Sequence, residues 1–260
     1  MTKSIYGAIK RATVAIAVAH PETIPRKPFT IIGSGFCIHP EGIVVTCEHV
    51  FKSFVHPDSY QRVMQAISGN ETETFQLKGL VPHAVFHSHV AGSEVHMIPV
   101  PIVNAVTKTD FDLAALKLHP HAALARKFPT LPIAEYEEIH EMMEIGTCGF
   151  PLGNLLQEQI GTVTSSFTKG MISSIIPAPN VARDHLRGFQ LDLTATNGNS
   201  GGPVFSLSSG KVFGVLQGGV KHPDGYLVQG LTTAEPIYPI FSHDLIDRLL
   251  KGLPPESSAA

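Results

Sequence analysis

Apolar residues in this chain come in short runs rather than long helical stripes. "RATVAIAVA", "TIIGSGFCI", "GIVVTCEHV", "TFQLKGLV", "HMIPVPIV", "LAALKLH", "EIGTCGF", "FTKGMISSII", "GFQLDLTA", "GGPVFSL", "KVFGVLQGG" and "YLVQGLTTA" carry β-branched or alternating apolar positions between turn residues. Runs of that length and punctuation read as strands. So many of them at this spacing predict an all-β barrel or sandwich. "HPEG" at 39–42 predicts a hairpin turn between two of them, and the Pro-rich stretches near 120–132 predict a connection between two halves. Helical periodicity is confined to "YQRVMQA" at 60–66 and "SHDLIDRLLKGL" at 242–253. The second puts Leu245, Ile246, Leu249 and Leu250 on one face, with Ser242 as N-cap and Gly252 near the end. "PPESSAA" after it reads as a frayed tail.

Composition narrows the class. The 260 residues suffice for one large domain or two small ones sharing a core. A net charge of −3 gives no electrostatic reason to bind nucleic acid or an anionic membrane surface. No apolar run approaches the roughly 20 residues that a membrane helix needs. The three cysteines, Cys37, Cys47 and Cys148, are an odd number and do not look like a disulfide scaffold. A Cys37–Cys47 bridge is the one pairing considered; three free thiols in a reducing compartment is the simpler reading. A cytoplasmic location is therefore expected. The opening "MTKSIYGAIKRATVAIAVAH" admits two readings, a short signal peptide with a basic start and an A-x-A end, or a strand. Export follows if residues 1–19 are a leader.

Candidate chemistry sits in three segments. "GSGFCIHPEGIVVTCEHV" at 33–50 carries His49, "TDFDLAALKL" at 109–118 carries Asp110 and Asp112, and "TNGNSGGPVF" at 196–205 seats Ser200 among glycines. A hydroxyl is a weak nucleophile near neutral pH. It needs a base beside it, and the base needs a partner that fixes its tautomer and stabilises its charged form. Ser, His and Asp fill those three roles. The histidines His83, His87, His89 and His96, with His119 and His121, form patches whose spacings can ligate zinc. No cysteine or carboxylate set completes such a site, so no metal and no cofactor is expected.

These segments resemble a trypsin-like serine protease of the chymotrypsin clan, closest to the HtrA (Deg) branch. "VTCEHV" is similar to the family's T-x-x-H-V, "DFDLAALKL" to its D-L-A strand, "GNSGGP" to its nucleophile turn, and "GFPLG" at 149–153 to a turn between them. The order His, Asp, Ser also agrees, and the resemblance runs from about residue 10 to 240. It implies two perpendicular six-stranded antiparallel Greek-key barrels with a C-terminal helix. Residues 1–125 would form the barrel with His49 and Asp112, and 126–260 the barrel with Ser200. The resemblance needs a strand at the start of the chain, which favours that reading of residues 11–19. It selects Asp112, directly before the Leu-Ala-Ala-Leu strand, and leaves Asp110 as a solvated turn residue. Glu48 reads as a surface carboxylate.

The resemblance also implies an oxyanion hole from the backbone N–H groups of Gly198 and Ser200. It implies a specificity pocket with Thr194 at its base and Gln217, Gly218, Gly219 and Gly230 in its walls. Thr194 is neutral, so a small or aliphatic side chain before the cleaved bond is expected. The expected function is a serine endopeptidase acting on a polypeptide through an acyl-enzyme. The competing reading is a protease-fold binding or scaffold protein with an idle triad. From His49 to Asp112 is 63 positions, longer than the family usually needs, so an insertion is expected within 56–108. Only 20 residues follow Ile240, room for one helix and not for the PDZ domain usual in that branch. Oligomeric state is not legible.

Overall fold

A computed structural model describes residues 3–19, 29–55, 82–89, 95–124, 127–160, 163–225, 227–242 and 245–252. The first six strands are β1 (Thr13–Ala19), β2 (Phe29–His39), β3 (Ile43–Cys47), β4 (Pro82–His89), β5 (Val95–Lys108) and β6 (Leu113–Leu118). They close into a barrel in the order β1-β2-β3-β6-β5-β4. A second set is β7 (Glu144–Gly149), β8 (Ser166–Ile176), β9 (Gly188–Leu191), β10 (Pro203–Ser206), β11 (Val212–Lys221) and β12 (Leu227–Pro236). It closes as β7-β8-β9-β12-β11-β10, so the two barrels repeat one strand order. All strand pairs are antiparallel. The expected pair of six-stranded antiparallel barrels is what the chain forms.

The strands follow from the apolar runs. β3 is buried at every position and pairs with β2 on one side and β6 on the other. That is why "IVVTC" is continuous rather than alternating. The turn after β2 is the expected hairpin: Gly42 N–H donates to His39 O at 2.9 Å, with Gly42 at φ +82°. β1 pairs with β2 and with β4, which closes the barrel. Residues 13–19 are thus barrel strand, as the strand reading of that stretch expected.

Some elements differ from expectation. The fourth strand is residues 82–89, the stretch read as a histidine patch; "TFQLKGLV" lies outside the described residues, as do 60–66 and "PPESSAA". The end of "GIVVTCEHV" is not strand but the start of helix α2 (Glu48–Val55). Two further helices were not expected, α1 (Lys3–Ala12) and α3 (Gly153–Ile160). The C-terminal helix α4 (Leu245–Leu250) is shorter than the periodicity suggested. It packs on β5 and β6 of the first barrel, burying Leu245 and Leu249. One apolar cluster runs across the seam, joining Phe36 and Leu116 to Phe205, Val215, Ile240 and Leu249. Cys37, Cys47 and Cys148 are all buried free thiols, so Cys37 and Cys47 are not bridged. Burial pushes the Cys37 thiol up to about 12, which keeps it protonated and unreactive.

Candidate active site

His49 lies in the first turn of α2, directly after β3. Asp112 ends the single 3-10 turn Thr109–Phe111 and opens β6. It adopts the left-handed conformation (φ 42°, ψ 41°), which Asp tolerates better than most side chains. This geometry lets one carboxylate make two contacts. Oδ1 accepts the His49 backbone N–H at 2.9 Å, and Oδ2 lies 2.7 Å from His49 Nδ1. Gln217 Nε2 donates to the same Oδ2 at 3.4 Å, while Gln217 Oε1 accepts from Thr233 Oγ1 at 2.8 Å. Burial pushes the Asp112 carboxyl up, but hydrogen bonds and charge from His49, with help from Gln217, outweigh it and hold the group below its ordinary range. Asp110 is exposed, as a solvated turn residue should be.

Glu48 corrects the expectation of a surface carboxylate, for its side chain is only 6% exposed. Its backbone N–H donates to Asp112 O at 2.9 Å. Its carboxylate accepts from Thr109 Oγ1 at 2.9 Å and pairs with Lys52 at 3.0 Å. The position suits a negative charge, being the first residue of a helix.

The turn with Ser200 docks against both barrels. Gly201 N–H donates to Leu216 O at 2.7 Å, and Cys47 Sγ donates to the same oxygen at 3.3 Å. Ser34 N–H, from β2, donates to Ser200 O at 2.8 Å. A Cβ on Gly33 would lie within 3.0 Å of both Val50 and Ser200 O, so the base's helix and the nucleophile's turn meet over that glycine. Among the described residues Ser200 Oγ makes no hydrogen bond to His49; such bonds commonly tighten only around substrate.

Gly198 sits at φ +97°, where a Cβ would collide with Phe150 O. No backbone hydrogen bond among the described residues uses the N–H of Gly198 or of Ser200.

The residues expected in the pocket divide. Thr194 Oγ1 accepts from Gly230 N–H at 3.3 Å. A Cβ on Gly219 would lie 3.1 Å from Leu227 Cδ2 and 3.3 Å from Ala195 O. Gly218 faces the nucleophile, 3.8 Å separating its Cβ position from Ser200 Oγ. Gln217 turns its amide to Asp112. Two residues that sequence reasoning did not single out lie beside these glycines: Leu227 by Gly219, and Asp192, whose Oδ1 lies 3.3 Å from the Cβ position of Gly230. Neither had a local signal, since strand pairing brings them there. Of the described residues, Cys47, His49 and Asp112 bring possible metal-ligand atoms within 4.8 Å of one another. Those groups are already engaged, two with each other and the thiol with Leu216 O.

Residues 33–215 match the trypsin-like peptidase domain. The chain belongs to that family. A curated relative of Rickettsia prowazekii (strain Madrid E), named "Probable periplasmic serine endoprotease DegP-like", is 30% identical over 197 residues. The match covers 75% of this chain and 29% of that protein. The chain thus spans about three-tenths of the length of the curated relatives it matches. The fold is similar to the MamO protease domain of Magnetospirillum magneticum in its apo form: TM-score 0.58, 16% identity, 92% of this chain and 98% of that one. It is also similar to the HtrA-type protease AlgW with tripeptide: TM-score 0.58, 16% identity, 95% of this chain and 63% of that one. The trypsin-like family is the one the motifs implied, and the HtrA-type likeness is to these relatives and structures. The expected cytoplasmic location is corrected by the same finding, because the curated relatives are named periplasmic, which points to export. Among the described residues no helix is long and apolar enough to cross a membrane.

Proposed function

We propose that this chain is an exported serine endopeptidase acting on polypeptides, with Ser200 as nucleophile, His49 as base and Asp112 as the partner of the base. The unit of function is the barrel pair, 1–125 and 126–260. Ser200 Oγ attacks the peptide carbonyl carbon while His49 Nε2 takes its proton. Asp112 holds the ring through Nδ1 and stabilises the imidazolium. The carbonyl electrons move onto oxygen, facing the N–H groups of Gly198 and Ser200. Collapse expels the amine, which receives the proton from His49, and water repeats the sequence to release the acid.

The observation that carries this reading is the 2.7 Å contact of His49 Nδ1 with Asp112 Oδ2, made by a depressed carboxylate. It fixes the tautomer and leaves Nε2 for the proton. Removing one oxyanion donor from such a site costs about 100- to 1,000-fold in turnover.

The test uses the whole protein with a fluorophosphonate probe and an unfolded protein substrate. Wild type should label once, at Ser200, and cleave the substrate. Ser200→Ala and His49→Ala should abolish both while melting as the wild type does. A folded wild type that neither labels nor cleaves would establish the scaffold reading instead.

A further inference from the structure

We propose that Ser34 is a positioning residue for the oxyanion hole, its buried hydroxyl tying Gly198 and Phe150 of the second barrel to the first. The proposal rests on the peptidase reading above and deepens it. Ser34 lies in β2 and is fully buried. Its Oγ donates to Gly198 O at 2.6 Å and accepts from Phe150 N–H at 3.0 Å. Its backbone N–H donates to Ser200 O at 2.8 Å, and its own carbonyl accepts from Thr46 Oγ1 at 2.7 Å. One residue of the first barrel therefore holds two carbonyls of the nucleophile turn and one N–H of the segment beside it.

Peptide planarity converts those bonds into the direction of the two donors. In a trans peptide the C=O and N–H point opposite ways. Asn197 O is held by Leu152 N–H at 2.8 Å, so the Gly198 N–H of that same peptide points away from the 149–152 segment. That segment is in turn anchored two residues earlier, where Phe150 N–H meets Ser34 Oγ. The second donor, Ser200 N–H, belongs to the peptide between two carbonyls that Ser34 holds, those of Gly198 and Ser200. The peptide of the Ser200 N–H is also held at its own carbonyl, Asn199 O accepting from Gly202 N–H at 3.0 Å, so the Ser34 side chain acts on both donors through the peptide between them, at Gly198 O, and through the 149–152 segment. The socket is cut to fit it: a Cβ on Gly149 would lie 2.8 Å from Ser34 Oγ, and one on Gly201 would collide with Ser34 O. Without the hydroxyl, Gly198 O and Phe150 N–H lose their partner, and the peptides around a glycine at φ +97° can turn.

The experiment compares Ser34→Ala with wild type. It predicts kcat about 10- to 100-fold lower with KM changed less than about threefold, since the donors act on the developing oxyanion rather than on bound substrate. A peptide boronic acid, which mimics the tetrahedral state, should lose affinity by the same factor as kcat. Thr13→Val supplies the control, because it removes another buried hydroxyl bond of the first barrel, to Ile9 O at 2.8 Å. It should lower the melting temperature and leave kcat alone. Wild-type kcat in Ser34→Ala, a loss confined to KM, or an equal loss in Thr13→Val would overturn the proposal. Should Ser34→Ala not fold, Ser34→Cys, with a weaker donor on the same stem, takes its place. Should wild type itself fail to turn over, the peptidase reading falls, and hydrogen–deuterium exchange decides the tie alone. Removing the hydroxyl must then speed exchange in 149–152 and 197–201 together, with β4 and β5 unchanged; unchanged exchange in either segment would refute it.

Discussion

Thr194, Leu227 and Asp192 carry the argument about specificity at the scale of single residues. Thr194 brings no charge, and Leu227 crosses to the open face of Gly219 with 38% of its surface exposed. An aliphatic side chain entering there gains apolar contact without losing a charge's hydration. Arg or Lys would need a partner, and an unpaired buried cation is costly. Asp192 is exposed and hydrated, so it is a poor receiver for a desolvated ammonium. We predict that peptides with Val, Ala or Leu before the scissile bond are cut at least about tenfold more efficiently than those with Arg, a gap of some 1.4 kcal/mol. A library digest dominated by cuts after Arg, and silenced by Asp192→Asn, would make Asp192 the base of the pocket. Sequence displayed the candidate triad because each member sits inside a local motif. It hid Gln217 turned toward Asp112, Ser34 beneath Gly198 and Leu227 opposite Gly219, because those neighbours are set by pairing between distant segments.

Glu48 shows how two elements become one unit. It belongs to α2 with His49, yet its N–H and carboxylate both bond to the turn that carries Asp112. The staple fixes the separation of base and carboxylate before either does chemistry. Glu48→Ala removes the bond to Thr109 and the pair with Lys52, both of which regain water, a cost of about 1 kcal/mol. For a chain of this size that is a fall in melting temperature of roughly 2–4 °C. Glu48→Gln keeps an acceptor for Thr109 and should lose less than half as much. Equal melting of the alanine variant and wild type in calorimetry would show that the staple contributes nothing. The same element explains a misread boundary: "EHV" continues an apolar run and looks like strand, but the chain leaves the sheet at Cys47, where Glu48 opens the helix. "VPHAVFHSHV" failed in the other direction. Its histidines flank a short buried run, Ala84–Phe86, in a strand that pairs with β1 and β5, and chemistry-bearing residue types drew attention from that run. α1 was legible in principle, since Ile5 and Ile9 repeat at helical spacing, but its length is short and its stripe narrow.

At the scale of the molecule the seam between barrels is charged as well as apolar. Glu235, on β12 opposite Val215, has its carboxyl pushed up to about 7, by burial first and then by the charge of Asp112 from the other barrel. Asp112 is shifted the other way. The two groups therefore act on opposite limbs of the pH–stability curve. Asp112, depressed when folded, contributes stability that is complete above its unfolded pKa of 3.8 and is lost as pH falls through the folded value. Glu235 binds its proton more tightly folded than unfolded. Between its unfolded pKa of 4.5 and its folded pKa of about 7 the folded state therefore holds more protons, and stability declines as pH rises through that window. Solvent screening at this partly exposed site reduces the decline to about 1–2 kcal/mol. Glu235→Gln removes the ionisation and keeps the shape. It should leave the melting temperature at pH 4 unchanged and raise it at pH 8 by roughly 2–6 °C, flattening the slope between. The measurement is a series of calorimetric melts at fixed ionic strength across pH 4–8, variant beside wild type. A parallel offset of the two curves at every pH would mean that the substitution acts by packing and that the charge of Glu235 does not load the seam.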